Sequence, residues 1–329
     1  MSRIVRFHEI GGPEVLRIED IAPTAPGPGE VRIRVKAIGV NRADILMRSG
    51  TYIQTPSLPS GLGLEAAGFV DEIGADVEGL SPGDRVSVIP SVSMERWPAY
   101  GEMAIFPAHL VVRHPSSISF EVAAASWMQY LTAYGALIDI ASVSANEPVL
   151  ITAASSSVGL AAIQIANLVG ARPVAVTRGG AKARALREAG AYDVIFSEDD
   201  DFQAQLIAAG GESGFRVVFD PVAGPAFTAI TTSMAVGGIL IEYGGLSPHP
   251  TPFPVGPVLS KSLILKGYLV HEIVRDPVRL DKAKNFVISA LVSGALKPVI
   301  AKTFAFEEIA EAHRFLETNQ HLGKVVVTV

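Results

Sequence analysis

The chain has 329 residues, 49% of them apolar and 18% charged, which is long enough for two ordinary domains with a generous core. A net charge of −6 without a basic cluster argues against nucleic acid as a main partner. With no cysteine, disulfides and every thiolate zinc site are excluded.

Residues 1–122 read as short strands separated by Gly and Pro turns. The opening Met1-Ser2-Arg3-Ile4-Val5-Arg6 lacks an apolar signal core, so no export is expected and the cytoplasm is the default compartment. Val15 to Ile18 and Val31 to Ala37 alternate apolar and polar residues, the pattern of half-buried strands. Between them, Pro23 to Gly29 is a turn-rich connector. Gly68 to Gly74 and Asp84 to Ile89 predict two more strands, with Ser81-Pro82-Gly83-Asp84 turning into the second. Strands this short and closely spaced suggest a β-barrel-like domain. Val92 to Ala99 has no period and predicts a loop over a cleft.

From Glu121 to Ile140 the chain is Ala-rich with helical spacing. Strands and helices then alternate. Val149 to Ile151 leads into a helix beyond Gly159, followed by Val174 to Thr177, Ala181 to Ala189, Asp193 to Phe196, Phe202 to Ala209, Arg216 to Asp220, Phe227 to Val236 and Ile239 to Tyr243. Lys261 to Val270 adds a strand and Asp276 to Ser293 a long helix. This order predicts a doubly wound parallel sheet, an α/β fold with helices on both faces. The most apolar region, Val158 to Thr177, is broken by Gln164, Asn167, Arg172 and Pro173, which suits a buried βαβ unit rather than a membrane span. The end returns to the first pattern. Lys302 to Phe304 is extended, Glu307 to Glu317 is helical, with Phe306, Ile309 and His313 spaced for one face, and Gly323 to Val329 closes as a strand. The expected division is therefore 1–122 with 296–329, and 123–295, with a ligand cleft between the domains.

The chemistry concentrates where Val149 to Ala154 gives way to Ser155-Ser156-Ser157-Val158-Gly159. An apolar strand ending in small residues before a helix is how a βα turn looks when its N–H groups must approach a phosphate. The dinucleotide fingerprint falls on Ala154, Ser156 and Gly159, of which only the last is Gly, so a buried βα turn without ligand also fits. The next strand ends in Thr177 and Arg178, with Lys182 beyond, where an NAD enzyme places an acid for the ribose 2′-hydroxyl. Two cations there can pair with a 2′-phosphate and favour NADPH; the alternative is a pair of solvated loop charges.

The motifs Gly11 to Leu16, Pro26 to Val31, Gly39-Val40-Asn41-Arg42-Ala43-Asp44, Gly63-Leu64-Glu65-Ala66-Ala67-Gly68, Gly83 to Val86, Leu131 to Tyr134 and Ala153 to Gly159 resemble the medium-chain dehydrogenase/reductase superfamily. They are most similar to its zinc-free quinone oxidoreductase (zeta-crystallin-like) branch. The resemblance implies a GroES-like β-rich catalytic domain, a Rossmann cofactor domain and a homodimer. Zinc alcohol dehydrogenases ligate zinc at positions that here carry Asn41 and Leu64, and Leu64 cannot coordinate a metal, so no zinc is expected. The resemblance also implies roles. Asn41 lies beside the nicotinamide and bonds its ribose or the substrate oxygen. Tyr52 lines the pocket and offers a hydrogen bond or a proton. Gln129 is a further catalytic candidate beside Tyr130, and Thr132 reaches toward the phosphates. Tyr243 and Gly244 run along the nicotinamide, Leu269 and Val270 hold its carboxamide, and Lys324 is a C-terminal cofactor contact. Ser197 stands where the family has a tyrosine near the adenosine.

Without a Lewis acid, such a site suits acceptors that take hydride readily, namely quinones and α,β-unsaturated carbonyls. An enoyl-thioester reductase, an alcohol dehydrogenase-like enzyme and a non-catalytic NADPH-binding protein are the alternatives. Ser262 to Leu269 would form an apolar edge strand that a second subunit covers.

Overall fold

In the computed structural model, which describes residues 1–329, the chain forms two units, Met1–Met128 with Phe286–Val329, and Gln129–Asn285. The breaks fall after Met128 and Asn285 rather than at 122 and 296.

Alternating residues build the first unit. Strand β1 (Ser2–Phe7) pairs antiparallel with β2 (Leu16–Ile21), and Phe7 faces Leu16. The sequence reading missed β1, because Ile4, Val5 and Phe7 do not alternate. The long β3 (Glu30–Val40) runs to Asn41, which opens helix α1 (Arg42–Arg48). The short β4 (Ser60–Gly61) joins β1, while β5 (Glu65–Ile73), β6 (Arg85–Val88), β7 (Met103–Pro107) and β8 (Val111–Arg113) extend the sheet around β3. Ile33, Ile38, Phe106 and Phe7 are buried at its centre, each contributing about 1.5–3 kcal/mol of transfer free energy.

One helix was expected over 121–140. Instead α2 (Phe120–Ala124) stops, α3 (Trp127–Tyr134) restarts, and Gly135–Ile140 widens into a π-helical turn. Ser126 Oγ donates back to Val122 O at 2.6 Å and ends the first piece. At the widened turn the Tyr268 hydroxyl donates to Leu131 O, a side chain inserted into the helical ladder.

The second unit is a six-stranded parallel sheet. Its strands are β9 (Pro148–Ile151), β10 (Arg172–Thr177), β11 (Asp193–Phe196), β12 (Phe215–Asp220), β13 (Met234–Glu242) and β14 (Ile264–Gly267), in the order β11-β10-β9-β12-β13-β14. The crossovers are α4 (Ser157–Leu168), α5 (Ala183–Glu188), α6 (Phe202–Gly210), α7 (Phe227–Thr232) and α8 (Val255–Ser260). The strand order reverses between β9 and β12, and ligands of such sheets bind beyond the carboxyl ends of the strands at that point. The strand expected over 261–270 is limited to Ile264–Gly267, because Ser262 turns through a φ of +49° before it and the chain enters α9 (His271–Val274) after it. Leu150, Val218, Leu206, Phe215 and Leu240 centre this unit's core.

After α10 (Pro277–Val292) come β15 (Ile300–Ala305), α11 (Ile309–Glu317) and β16 (Lys324–Thr328). The last strand lies antiparallel on β3, with Val325 opposite Val40, so the chain's end is sewn into the first unit. No helix is long and apolar enough to cross a membrane.

Candidate functional site

In the second unit, the turn between β9 and α4 bends through Ala153, whose φ is +44°. That left-handed conformation costs an L-residue roughly 1–2 kcal/mol, and the turn imposes it. At Gly159 a Cβ would lie 2.6 Å from both Cα and O of Ala154, so only glycine fits. Ser156 caps α4, its Oγ accepting the Gly159 N–H at 3.0 Å. Helix geometry leaves the Ser157 and Val158 amides outside the intrahelical ladder. Lys182 Nζ donates to Ser155 Oγ at 3.2 Å, laying a half-buried cation on the turn. Burial, followed by the charge of Arg178, lowers the Lys182 pKa. The small residues, the amides and the ammonium fit a dinucleotide's phosphates.

Thr177 ends β10 buried, and its carbonyl accepts the Ser197 N–H. The Glu198 N–H donates to the carbonyl of exposed Arg178 at 3.2 Å, so the acidic run Glu198-Asp199-Asp200-Asp201 begins beside the proposed 2′-phosphate contact. Sequence spacing had not brought these acids to that strand end. On α3, Gln129 and Thr132 are buried, and Gln129 Oε1 has no donor.

At the carboxyl ends of the next strands, Asp220 is fully buried and accepts from the Thr152 hydroxyl, from Val222 N at 2.9 Å and from Ala223 N at 3.0 Å. Tyr243 stacks on Phe219, with centroids 4.0 Å apart and planes 18° from parallel. Its buried hydroxyl neighbours Ser156, and burial, with the charges of Asp220 and Glu242, raises its pKa well above the ordinary value. Tyr243 is thus a wall behind the turn. Exposed Gly244 passes over Pro221, where a Cβ would stand 2.9 Å from the Pro221 carbonyl oxygen. Leu269 is exposed, and buried Val270 caps the start of α9.

In the first unit, Asn41 sits at the end of β3 and is 6% exposed. Its Nδ2 donates to Gly39 O and to Glu65 Oε2, both at 3.1 Å, and its Oδ1 accepts from Lys324 Nζ at 2.6 Å. A carboxamide has two N–H donors and two acceptor lone pairs. Both donors are spent, leaving one acceptor position on Oδ1. Lys324 is 1% exposed and also pairs with Glu65, so its ammonium is an internal group. Glu65 Oε1 in turn accepts the Met128 N–H at 2.6 Å.

A second polar chain lies behind Asn41. Asp44 Oδ2 accepts the Asn41 N–H at 2.7 Å and the Tyr100 hydroxyl at 2.9 Å; Tyr100 meets His313 Nε2, and His313 Nδ1 faces Arg48. Arg48 reaches Glu317. An arginine only donates, so His313 Nδ1 is the acceptor and Nε2–H donates to Tyr100. Burial, then the Arg48 charge, lowers the His313 pKa to about 3, and burial raises Asp44 to about 7. Burial, then the Asp44 charge, raises half-buried Tyr52 to about 12. Glu65, Asp44, Tyr100 and His313 were not among the sequence candidates, although Glu65 and Asp44 stand inside the quoted motifs.

The chain matches known proteins along its whole length. An alcohol dehydrogenase GroES-like domain model matches residues 27–116 and a zinc-binding dehydrogenase model residues 157–285. The quinone oxidoreductase of Salmonella typhimurium is 33% identical over 98% of this chain and 98% of its own. The chain belongs to the quinone oxidoreductase branch of the medium-chain dehydrogenases/reductases. Among solved members, Escherichia coli quinone oxidoreductase complexed with NADPH superposes with a TM-score of 0.90 at 31% identity, covering 99% of this chain and 100% of that one. A structure described as an NAD-dependent alcohol dehydrogenase superposes with a TM-score of 0.88 at 32% identity, covering 99% of each chain.

Proposed function

We propose that this quinone oxidoreductase family member is an NADPH-dependent, zinc-independent reductase of quinones, with enals and enones as further acceptors. The observation that carries the reading is the Lys182 ammonium laid on Ser155 at the phosphate turn, on the same βαβ unit whose strand ends in Thr177-Arg178. NADPH, when bound, supplies the hydride. The Ser157 and Val158 amides receive the pyrophosphate, while Lys182 and Arg178 serve the 2′-phosphate. Asn41 has no donor to spare, so it accepts from a ribose hydroxyl and does not stabilise an oxyanion. Tyr52 keeps its proton through the neutral range and donates a hydrogen bond to the substrate oxygen. Zinc independence is supported by Leu64 in the second motif and by the Lys324 ammonium, which already balances Glu65. The assay is NADPH oxidation with small quinones and enals before and after dialysis against a chelator. Undiminished turnover supports the reading, and metal-dependent alcohol oxidation overturns it.

The acidic run beginning beside Arg178 favours a second reading, in which NADH serves equally; the ratio of kcat/KM for the two cofactors separates them. We also propose a homodimer through β14, the sheet edge, where Ile264 is 54% exposed and the neighbouring Leu259 is 74% exposed. Light scattering at micromolar concentration tests it, and a monomeric mass overturns it.

A further inference from the structure

In the second unit, the carboxyl ends of β12 and β13 place Asp220 directly opposite Glu242. Parallel partners in register project to the same face of the sheet. Asp220 is well supplied with donors: the Thr152 hydroxyl and the Val222 and Ala223 amides. Glu242 is not. Both of its oxygens are buried, and neither has a donor. The Gly244 N–H approaches it without reaching hydrogen-bond geometry. A buried carboxylate without donors, standing beside another carboxylate, cannot keep its charge.

The surroundings offer no compensating cation. On β14, Gly267 stands opposite Glu242; Lys266 stands opposite Ile241, hence on the other face, and pairs with Glu272. Tyr243, next along β13, also points to that other face, where it stacks on Phe219. Helices α7 and α8 contain no titratable residue, and in the loop between Tyr243 and α8 the ionisable group is His249. Burial, then the Asp220 charge, pushes Glu242 up to about 9.

We infer that Glu242 is a positioning residue that holds a proton at neutral pH beside Asp220, so that the loops following β12 and β13 lie together where the dinucleotide binds. Those loops are laced by Leu246 N to Pro221 O and Ser247 N to Val222 O, both 2.9 Å, and by Gly224 N to Thr251 Oγ1 at 2.9 Å. Loss of the proton sets two negative charges side by side beneath them and opposes an anionic ligand. The inference rests on the dinucleotide reading of this unit, but the proton itself does not.

The sign of the pH effect follows from linkage. In the unfolded chain the Glu242 carboxyl ionises near its ordinary value of 4.5, whereas in the fold it keeps its proton to about 9. Between those values folding takes up one extra proton, so stability falls as pH rises and levels off above the upper value.

Glu242→Gln keeps the shape without the titration, and Glu242→Ser serves if the first variant fails to fold. In protein without nucleotide, infrared spectra at neutral pH should contain a protonated-carboxyl band that loses one group's intensity in Glu242→Gln, the remainder belonging to Asp44. Denaturant unfolding should show the wild type losing stability relative to Glu242→Gln across pH 4.5 to 9, with a one-proton slope. NADPH affinity, read by fluorescence titration, should weaken by about tenfold per pH unit above the titration in the wild type, and less in Glu242→Gln. Absence of that intensity difference, or unfolding profiles that stay parallel, overturns the proton. Identical pH dependence of NADPH binding in both proteins overturns the positioning role. If neither protein binds NADPH at any pH, the positioning role falls with the dinucleotide reading and the proton stands on the nucleotide-free measurements.

Discussion

The polar centre of the first unit and the phosphate turn of the second solve opposite problems. Around Asn41 most strong groups answer one another inside the protein, with Asp44 Oδ1 and Arg48 Nε left over: Lys324 with Glu65, Glu65 with Met128 N, Asp44 with Tyr100. Around Ser156 the chain instead leaves groups for something else, with the Ser157 and Val158 amides outside the helical ladder and a cation laid alongside. A network closed on itself converts burial into rigidity, and its loss is felt as unfolding. A turn that presents donors is felt as affinity. Truncations in the first unit should therefore cost stability and those in the second cost cofactor binding.

The largest effect is expected at Lys324→Met, which strands the Glu65 carboxylate in the core. Stability should fall by about 3–5 kcal/mol in urea unfolding, and the double variant Glu65→Gln/Lys324→Met should regain most of it. A loss confined to NADPH affinity would instead make Lys324 a direct cofactor contact. Next come Arg178→Ala and Lys182→Ala, each removing a charge-assisted contact worth about 1.5–3 kcal/mol, so the NADPH Michaelis constant should rise by one to two orders of magnitude. NADH kinetics and urea stability should stay close to wild type; equal effects on both cofactors would favour the second reading. Ser156→Ala tests where the two behaviours meet, because the cap belongs to the fold. It should cost about 1 kcal/mol of stability, read as a lower thermal midpoint.

The smallest effect at neutral pH belongs to His313. Its folded pKa lies near 3 against an ordinary 6.5, so the unfolded chain binds a proton that the fold refuses. Stability should be intact above 6.5 and fall as pH drops toward 3, with a slope of one proton that His313→Gln removes. His313 then contributes an acid limit and Glu242 an alkaline one, to which buried Asp44, held up to about 7, adds in the same direction as Glu242; a His313→Gln profile identical to wild type would break the acid assignment.

Legibility followed sequence distance. The β9–turn–α4 segment and the alternation of strands and helices were readable because their signals lie within a few residues of one another. Asn41 could be singled out as a candidate from its motif, but its exhausted donors could not be seen, since Lys324 lies 283 positions away and Glu65 24. The break after α2 escaped an Ala-rich helical pattern because a single serine hydroxyl makes it. Glu242 fell inside the strand read over Ile239 to Tyr243 and was not singled out; only the register with β12 sets it against Asp220.

In its proposed role beside the ribose, the spent carboxamide of Asn41 also bears on inhibitor design. A competitive compound reaching that residue must bring its own hydroxyl or N–H, because the single position left is an oxygen lone pair. Ketones, esters and carboxylates aimed there will be turned away, whereas a small diol should be retained.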